Sequence, residues 1–191
     1  MAKKDLTGKR IAILVDEGFE QVELIKPRKA LDRVGAQTQV VSPQETEVRG
    51  WNTKKWGKSV AVDVPLESAD PAEFDALLLP GGVMNPDKLR MNQKAVEFVK
   101  HFLDAGKPIA AICHGPWTLL EAGGVQDRTM TSWPSLKTDL RNAGANWVDE
   151  EVVTDRGVVT SRKPDDIRAF NKKMIEEFAE GQHAGHERPA A

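Results

Sequence analysis

Apolar residues along this chain fall into short unbroken runs separated by longer stretches of mixed spacing. That is the pattern of strands buried on both faces alternating with amphipathic helices. The runs are Ile11-Ala12-Ile13-Leu14-Val15, Val40-Val41, Ala76-Leu77-Leu78-Leu79 and Ile109-Ala110-Ala111-Ile112. Between them, residues 20–34 carry Val22, Leu24, Ile25, Ala30, Leu31 and Val34 at helical spacing up to Gly35, with Pro27 as an interruption. Further helices are predicted over residues 86–105, 118–122, 135–143 and 164–180, the last with Asp165 and Asp166 near its N-terminus. The alternation in Lys58-Ser59-Val60-Ala61-Val62-Asp63 marks an antiparallel excursion within residues 50–64. Residues 152–160 read as a hairpin turning at Asp155-Arg156-Gly157. Strands alternating with helices give an α/β fold with a mainly parallel sheet. Residues 1–180 form one predicted domain, and residues 181–191, polar and without apolar period, a flexible tail.

Charge narrows the function classes. The 191 residues sum to a formal net charge of −2 without a long basic block, which argues against nucleic acid or anionic membrane as partner. The opening segment leads into too short an apolar run for a signal peptide, and no stretch is long enough to span a bilayer. One cysteine cannot form an intramolecular disulfide, so nothing asks for an oxidising compartment, and a cytoplasmic address is expected.

That cysteine sits in Ala111-Ile112-Cys113-His114-Gly115, a small-x-nucleophile-x-small segment between a buried strand and a helix. Small residues two positions either side let strand and helix approach closely, which pushes the central side chain outward on a sharp turn. Free N–H groups at the start of the next helix favour the thiolate, the reactive form. Sites in open parallel sheets form at the carboxyl ends of strands. The loop carrying Glu20 and Glu23, the Gly81-Gly82 turn and Cys113 can therefore converge on one crevice. Gly82 can turn its N–H toward a ligand as half of an oxyanion hole, and His114 is a candidate general base or acid. His101 falls in a helix, and His183 and His186, a lone pair in the predicted tail, make no adequate metal set. No metal or cofactor is called for.

Phe19-Glu20-Gln21-Val22-Glu23-Leu24, Phe74-Asp75-Ala76-Leu77-Leu78-Leu79-Pro80-Gly81-Gly82 and Ala111-Ile112-Cys113-His114-Gly115-Pro116 together resemble the PfpI-type intracellular proteases of the ThiJ/PfpI superfamily. The likeness extends over roughly residues 10–178. It implies a flavodoxin-like three-layer α/β/α sandwich with Cys113 as elbow nucleophile. Glu20 would be the carboxyl group on the sulfur, protonated at neutral pH. An ionised carboxylate there would repel the thiolate, so such a pair must share one proton. The resemblance also implies His114 as base, with Gly82 and His114 supplying the oxyanion N–H groups. In the family's oligomeric proteases the acid partner of that histidine comes from a neighbouring subunit, at the position held here by Asp87 in place of glutamate. A homo-oligomer is thus expected, and Trp117 narrows the pocket beside the thiol. Relatives include peptidases, chaperones, and glyoxalases or deglycases acting on methylglyoxal and its adducts. A cysteine-dependent hydrolase of one of these kinds is the expectation for this chain. The competing one is a redox or stress-protection protein in which Cys113 is oxidised beside Glu20 without turnover. A glutamine amidotransferase would need a histidine-x-acid pair late in the domain, and after His114 the next histidine is His183.

Overall fold

In the computed structural model, which describes residues 4–183, the first apolar run forms β1 (Arg10–Leu14) and the periodic stretch behind it α1 (Gln21–Asp32). There follow β2 (Gln37–Ser42), β3 (Glu47–Asn52), β4 (Lys55–Ala61), β5 (Val64–Pro65) and β6 (Ala76–Leu79). Helices α2 (Met84–Met91) and α3 (Gln93–Asp104) lead into β7 (Ile109–Ile112) and α4 (Pro116–Glu121). The rest comprises β8 (Thr129–Met130), α5 (Lys137–Asn142), β9 (Asn146–Trp147), β10 (Val152–Asp155), β11 (Val158–Ser161) and α6 (Ile167–Glu180).

One sheet holds the strands in the order β10-β11-β7-β6-β1-β2-β5, with every neighbour parallel except β10 and β11. Alternate residues of its central strands face opposite layers, as a period of two requires. Ala12, Leu14, Leu77, Leu79 and Ala111 meet Phe98 and Phe102 of α3 on one side. Ile11, Ile13, Leu78, Ala110 and Ile112 meet Leu24 of α1 and Phe170, Met174 and Phe178 of α6 on the other. Each fully buried Leu or Phe contributes about 1.5–3 kcal/mol, so these two layers supply most of the driving force. The result is the expected three-layer α/β/α sandwich.

Three details depart from the apolar pattern. The helix predicted over residues 86–105 is two helices, because Asn92 leaves helical geometry (φ −92°, ψ 108°) and caps α3, its Oδ1 accepting from the Ala95 N–H at 3.2 Å. The excursion begins earlier than residue 50, as the separate antiparallel pair β3–β4, and it lies beside the end of β1: Trp51 N–H donates to the Phe19 carbonyl at 2.7 Å. The parallel pair β8–β9 was not anticipated, being only two residues per strand. The β10–β11 hairpin turns where expected, with Arg156 (φ 47°) and Gly157 (φ 80°) both left-handed, as a tight hairpin turn demands. Of the predicted tail, Gln182 and His183 dock on the end of α3, the His183 N–H donating to the Gly106 carbonyl at 2.9 Å. Residues 184–191, with His186, lie outside those described. No helix among the described residues is long and apolar enough to cross a membrane.

Candidate active site at Cys113

The elbow is built by exclusion of side chains. Gly115 follows β7 by three residues, and a Cβ there would stand 2.4 Å from the Leu79 carbonyl oxygen, so only glycine lets α4 begin this close to β6. The chain reverses between them through Cys113 itself, which adopts φ 63°, a left-handed conformation uncommon for a residue with a side chain. Its N–H remains in the sheet, donating to the Ser161 carbonyl at 3.0 Å, while its side chain leaves the strand. Residual exposure of the residue is 7%, so the sulfur at the carboxyl end of β7 is nearly enclosed.

Across that crevice lies Glu23, and here the structure corrects the sequence reading, which had put Glu20 on the sulfur. Helix α1 starts at Gln21, leaving Glu20 at its N-cap outside the helix. The half-buried Glu20 carboxylate there accepts from the backbone N–H groups of Thr53 and Val22, on the side of the β3–β4 hairpin. Glu23, one turn in, points back under the sheet and is fully buried. Its Oε2 accepts from the Gly81 N–H at 2.9 Å, and its carboxyl lies within hydrogen-bonding reach of the Cys113 thiol. Oε1 is buried without a nitrogen or oxygen partner. Gly81 permits this meeting: a Cβ on it would be 2.7 Å from the Cys113 Cβ and 2.7 Å from Glu23 Oε2.

Burial dominates the protonation of this pair. It pushes the Glu23 carboxyl up to about 8, opposed by the Gly81 N–H and assisted by the Glu20 charge. Burial likewise pushes the Cys113 thiol up, as does any charge on Glu23, whereas the backbone N–H groups of Gly82 and His114, both directed at the sulfur, favour the thiolate. A thiolate is tolerable here only while Glu23 holds a proton it can donate to the sulfur. The orphan Oε1 is the atom suited to carry that proton.

Gly82 (φ 81°) and His114 thus both direct their N–H groups at the Cys113 sulfur. The His114 ring folds back on the sulfur, with Nδ1 3.1 Å from Sγ, and its Nε2 faces the Ser135 hydroxyl at 3.3 Å. Trp117 meets the ring edge-on (centroids 5.3 Å apart) and Trp133 stacks on it (6.0 Å). This cover pushes the imidazole down to about 4, so it is neutral at physiological pH. Trp117, expected to crowd the thiol, is thus a wall of the histidine, with its indole N–H held by Asp139 at 2.9 Å. Trp133→Ala, which removes one face of that cover, is expected to raise the His114 pKa above its value of about 4. Ring-proton NMR titration checks this, and an unmoved titration would show that the tryptophan does not set it.

Asp87 stands exposed on α2, and no contact between it and His114 is present within the described chain. Sequence reading also missed Asn85. This buried side chain ties the glycine turn to the β1 loop, its Nδ2 donating to the Pro80 and Gly81 carbonyls (2.9 and 3.1 Å) and its Oδ1 accepting from the Asp16 N–H (2.7 Å). A fully buried amide in a short helix is the signal that could have flagged it, but only once the helix was placed.

Comparison with known proteins agrees with this architecture. The family model described as DJ-1/PfpI family matches residues 9–177. A deglycase of Pyrococcus abyssi is 45% identical over 166 residues, covering 87% of this chain and 97% of its own. A Bacillus subtilis protein, provisionally named a cysteine protease, is 40% identical over 168 residues, covering 88% and 97%. Among solved structures, Drosophila melanogaster DJ-1beta superposes with a TM-score of 0.81 at 28% identity, covering 90% of each chain.

Proposed function

Since the chain belongs to the DJ-1/PfpI family, we propose that it is a Cys113-dependent enzyme of carbonyl chemistry, a deglycase or glyoxalase acting on methylglyoxal and its amine or thiol adducts. The observation that carries this reading is the Glu23 carboxyl, fully buried against a sulfur that also faces two backbone N–H groups. Hydrolysis of a peptide bond requires a strong general acid for the departing amine. His114, kept neutral by burial, is poorly equipped for that. An aldehyde carbon lacks amide resonance and needs only a nucleophile, an oxyanion site and a group that moves a proton near neutral pH. The deglycase name of the Pyrococcus relative supports the same choice.

In the proposed sequence the Cys113 thiolate adds to the aldehyde carbon, and the carbonyl electron pair moves to oxygen. That oxyanion takes the N–H groups of Gly82 and His114 and then the proton of Glu23. Glu23, now a carboxylate with a pKa of about 8, is the better base of the two candidates and removes the hydrogen from the carbon bearing sulfur. Returning that proton to the neighbouring ketone carbon, while the hydroxyl proton on the carbon bearing sulfur passes to the former ketone oxygen, leaves a 2-hydroxy thioester. Water hydrolyses it to the 2-hydroxy acid and frees the thiol. Aldehyde plus water gives hydroxy acid, so no external oxidant is needed. Incubation with methylglyoxal and with a methylglyoxal-modified amine, followed by product analysis, is expected to yield lactate. Cleavage of a peptide panel with no loss of methylglyoxal would overturn the assignment.

We further propose that Asp87, exposed on α2, serves His114 of a neighbouring copy in a homo-oligomer. Asp87→Asn is then expected to lower turnover about tenfold and to leave association, followed by light scattering, unchanged. Full turnover by a chain that is monomeric at assay concentration would contradict this.

A further inference from the structure

The opposite end of the sheet from Cys113 gathers a second set of chemical groups. Glu177 and Glu180 lie three residues apart in the last turn of α6, and the chain reverses at Gly181 (φ 83°). The His183 N–H then anchors to the Gly106 carbonyl at 2.9 Å, at the amino end of β7, whereas Cys113 follows its carboxyl end. Gly157, in the β10–β11 turn, receives the imidazole: a Cβ there would come within 2.9 Å of His183 Cδ2. As a result one ligand atom from each of Glu177, Glu180 and His183 lies within 4.8 Å of the others.

Two of these atoms are unsatisfied. Glu177 is only 6% exposed, and both its Oε1 and His183 Nε2 are buried without a hydrogen-bond partner. Their close contact is with each other, at 2.5 Å. A buried carboxylate oxygen and a buried ring nitrogen pressed together this closely, with a second carboxylate within 4.8 Å, form a donor set that one shared cation would satisfy better than they satisfy each other. We propose that Glu177, Glu180 and His183 bind one divalent transition-metal ion of the Zn²⁺ class.

The donor set fits that class. Two carboxylates neutralise a dication, and the imidazole favours Zn²⁺ or Co²⁺ over Mg²⁺ and Ca²⁺, which prefer oxygen alone. Ligand bonds of about 2.0–2.2 Å in tetrahedral geometry put donor atoms about 3.3 Å apart. Glu177 and His183 need to separate by less than about an ångström for this. Glu180, exposed, is free to turn inward, leaving a fourth position for water. Bound metal would clip the end of α6 to the α3–β7 connection and the β10–β11 turn, independently of the proposed reaction at Cys113.

Titration of the full chain bearing Cys113→Ala with Co²⁺ tests the site without interference from the thiol. One equivalent is expected to bind with the visible ligand-field bands of a tetrahedral nitrogen and oxygen site, displaced by Zn²⁺. Glu180→Gln, at an exposed position that does not threaten folding, and His183→Gln are each expected to weaken binding at least about tenfold. Zn²⁺ should raise the unfolding temperature of the parent but not of these variants. Absence of uptake at millimolar Co²⁺, or uptake indifferent to both substitutions, would overturn the proposal and leave the cluster as an ion pair.

Discussion

Replacing Cys113 with alanine is expected to lower turnover of an α-oxoaldehyde on the order of 10³-fold or more, with the fold intact. Alanine keeps the Cβ and the left-handed turn at φ 63°, so the elbow and its glycine contacts with β6 persist. What is lost is the sulfur that, in the proposed reaction, bonds to the substrate carbon. The Gly82 and His114 N–H groups remain to polarise a carbonyl, and removal of a nucleophile elsewhere leaves a residual rate of about 10³–10⁴ over water for that reason. Steady-state kinetics on purified variant and parent, with circular dichroism to confirm folding, make the comparison. A loss smaller than about tenfold would mean that the reaction does not pass through sulfur.

The second large effect concerns stability and follows from the buried carboxyl. In the unfolded chain Glu23 titrates near 4.5 and in the fold near 8, so the folded state holds its proton more tightly. Stability from this group is complete below pH 4.5 and is lost as pH rises to about 8. At about 1.4 kcal/mol per pH unit, the full window amounts to roughly 5 kcal/mol. His114 acts in the opposite direction at lower pH: pushed down to about 4, it favours the fold increasingly as pH climbs to its ordinary 6.5. The two offset each other in mildly acidic solution, leaving Glu23 uncompensated above about pH 6.5. Wild type should therefore lose about 2 kcal/mol between pH 6.5 and 8, whereas Glu23→Gln, which cannot ionise, should not. Urea unfolding over that range measures this. Parallel curves for the two proteins would show that the carboxyl is not buried in its protonated form.

How far the sequence carried toward this site can be judged from its acids. Cys113, Gly82 and His114 were legible because the small-x-Cys-x-small segment and the glycine pair each have a backbone reason to be where they are: β6 and β7 are neighbours, and Gly81 and Gly115 are small enough to keep them close. Glu20 and Glu23 were not separable by spacing alone. Their roles depend on whether the helix starts before or after Glu20, a boundary that apolar periodicity does not fix. The start at Gln21 turns one acid toward the hairpin and the next under the glycine turn. Trp133 and Ser135 escaped notice for another reason: they lie between a two-residue strand and the helix predicted from residue 135, and only the fold brings that junction onto His114. The central strands, each an unbroken apolar run, were readable because burial on both faces admits no other composition.

The account rests on the proton that Glu23 holds against Cys113, and infrared absorption observes it directly. The difference spectrum of wild type minus Glu23→Gln at pH 7 should contain the carbonyl stretch of a protonated carboxylic acid, fading as pH is raised through about 8. A difference spectrum showing only carboxylate bands at pH 7 would place a negative charge beside the sulfur and contradict the account.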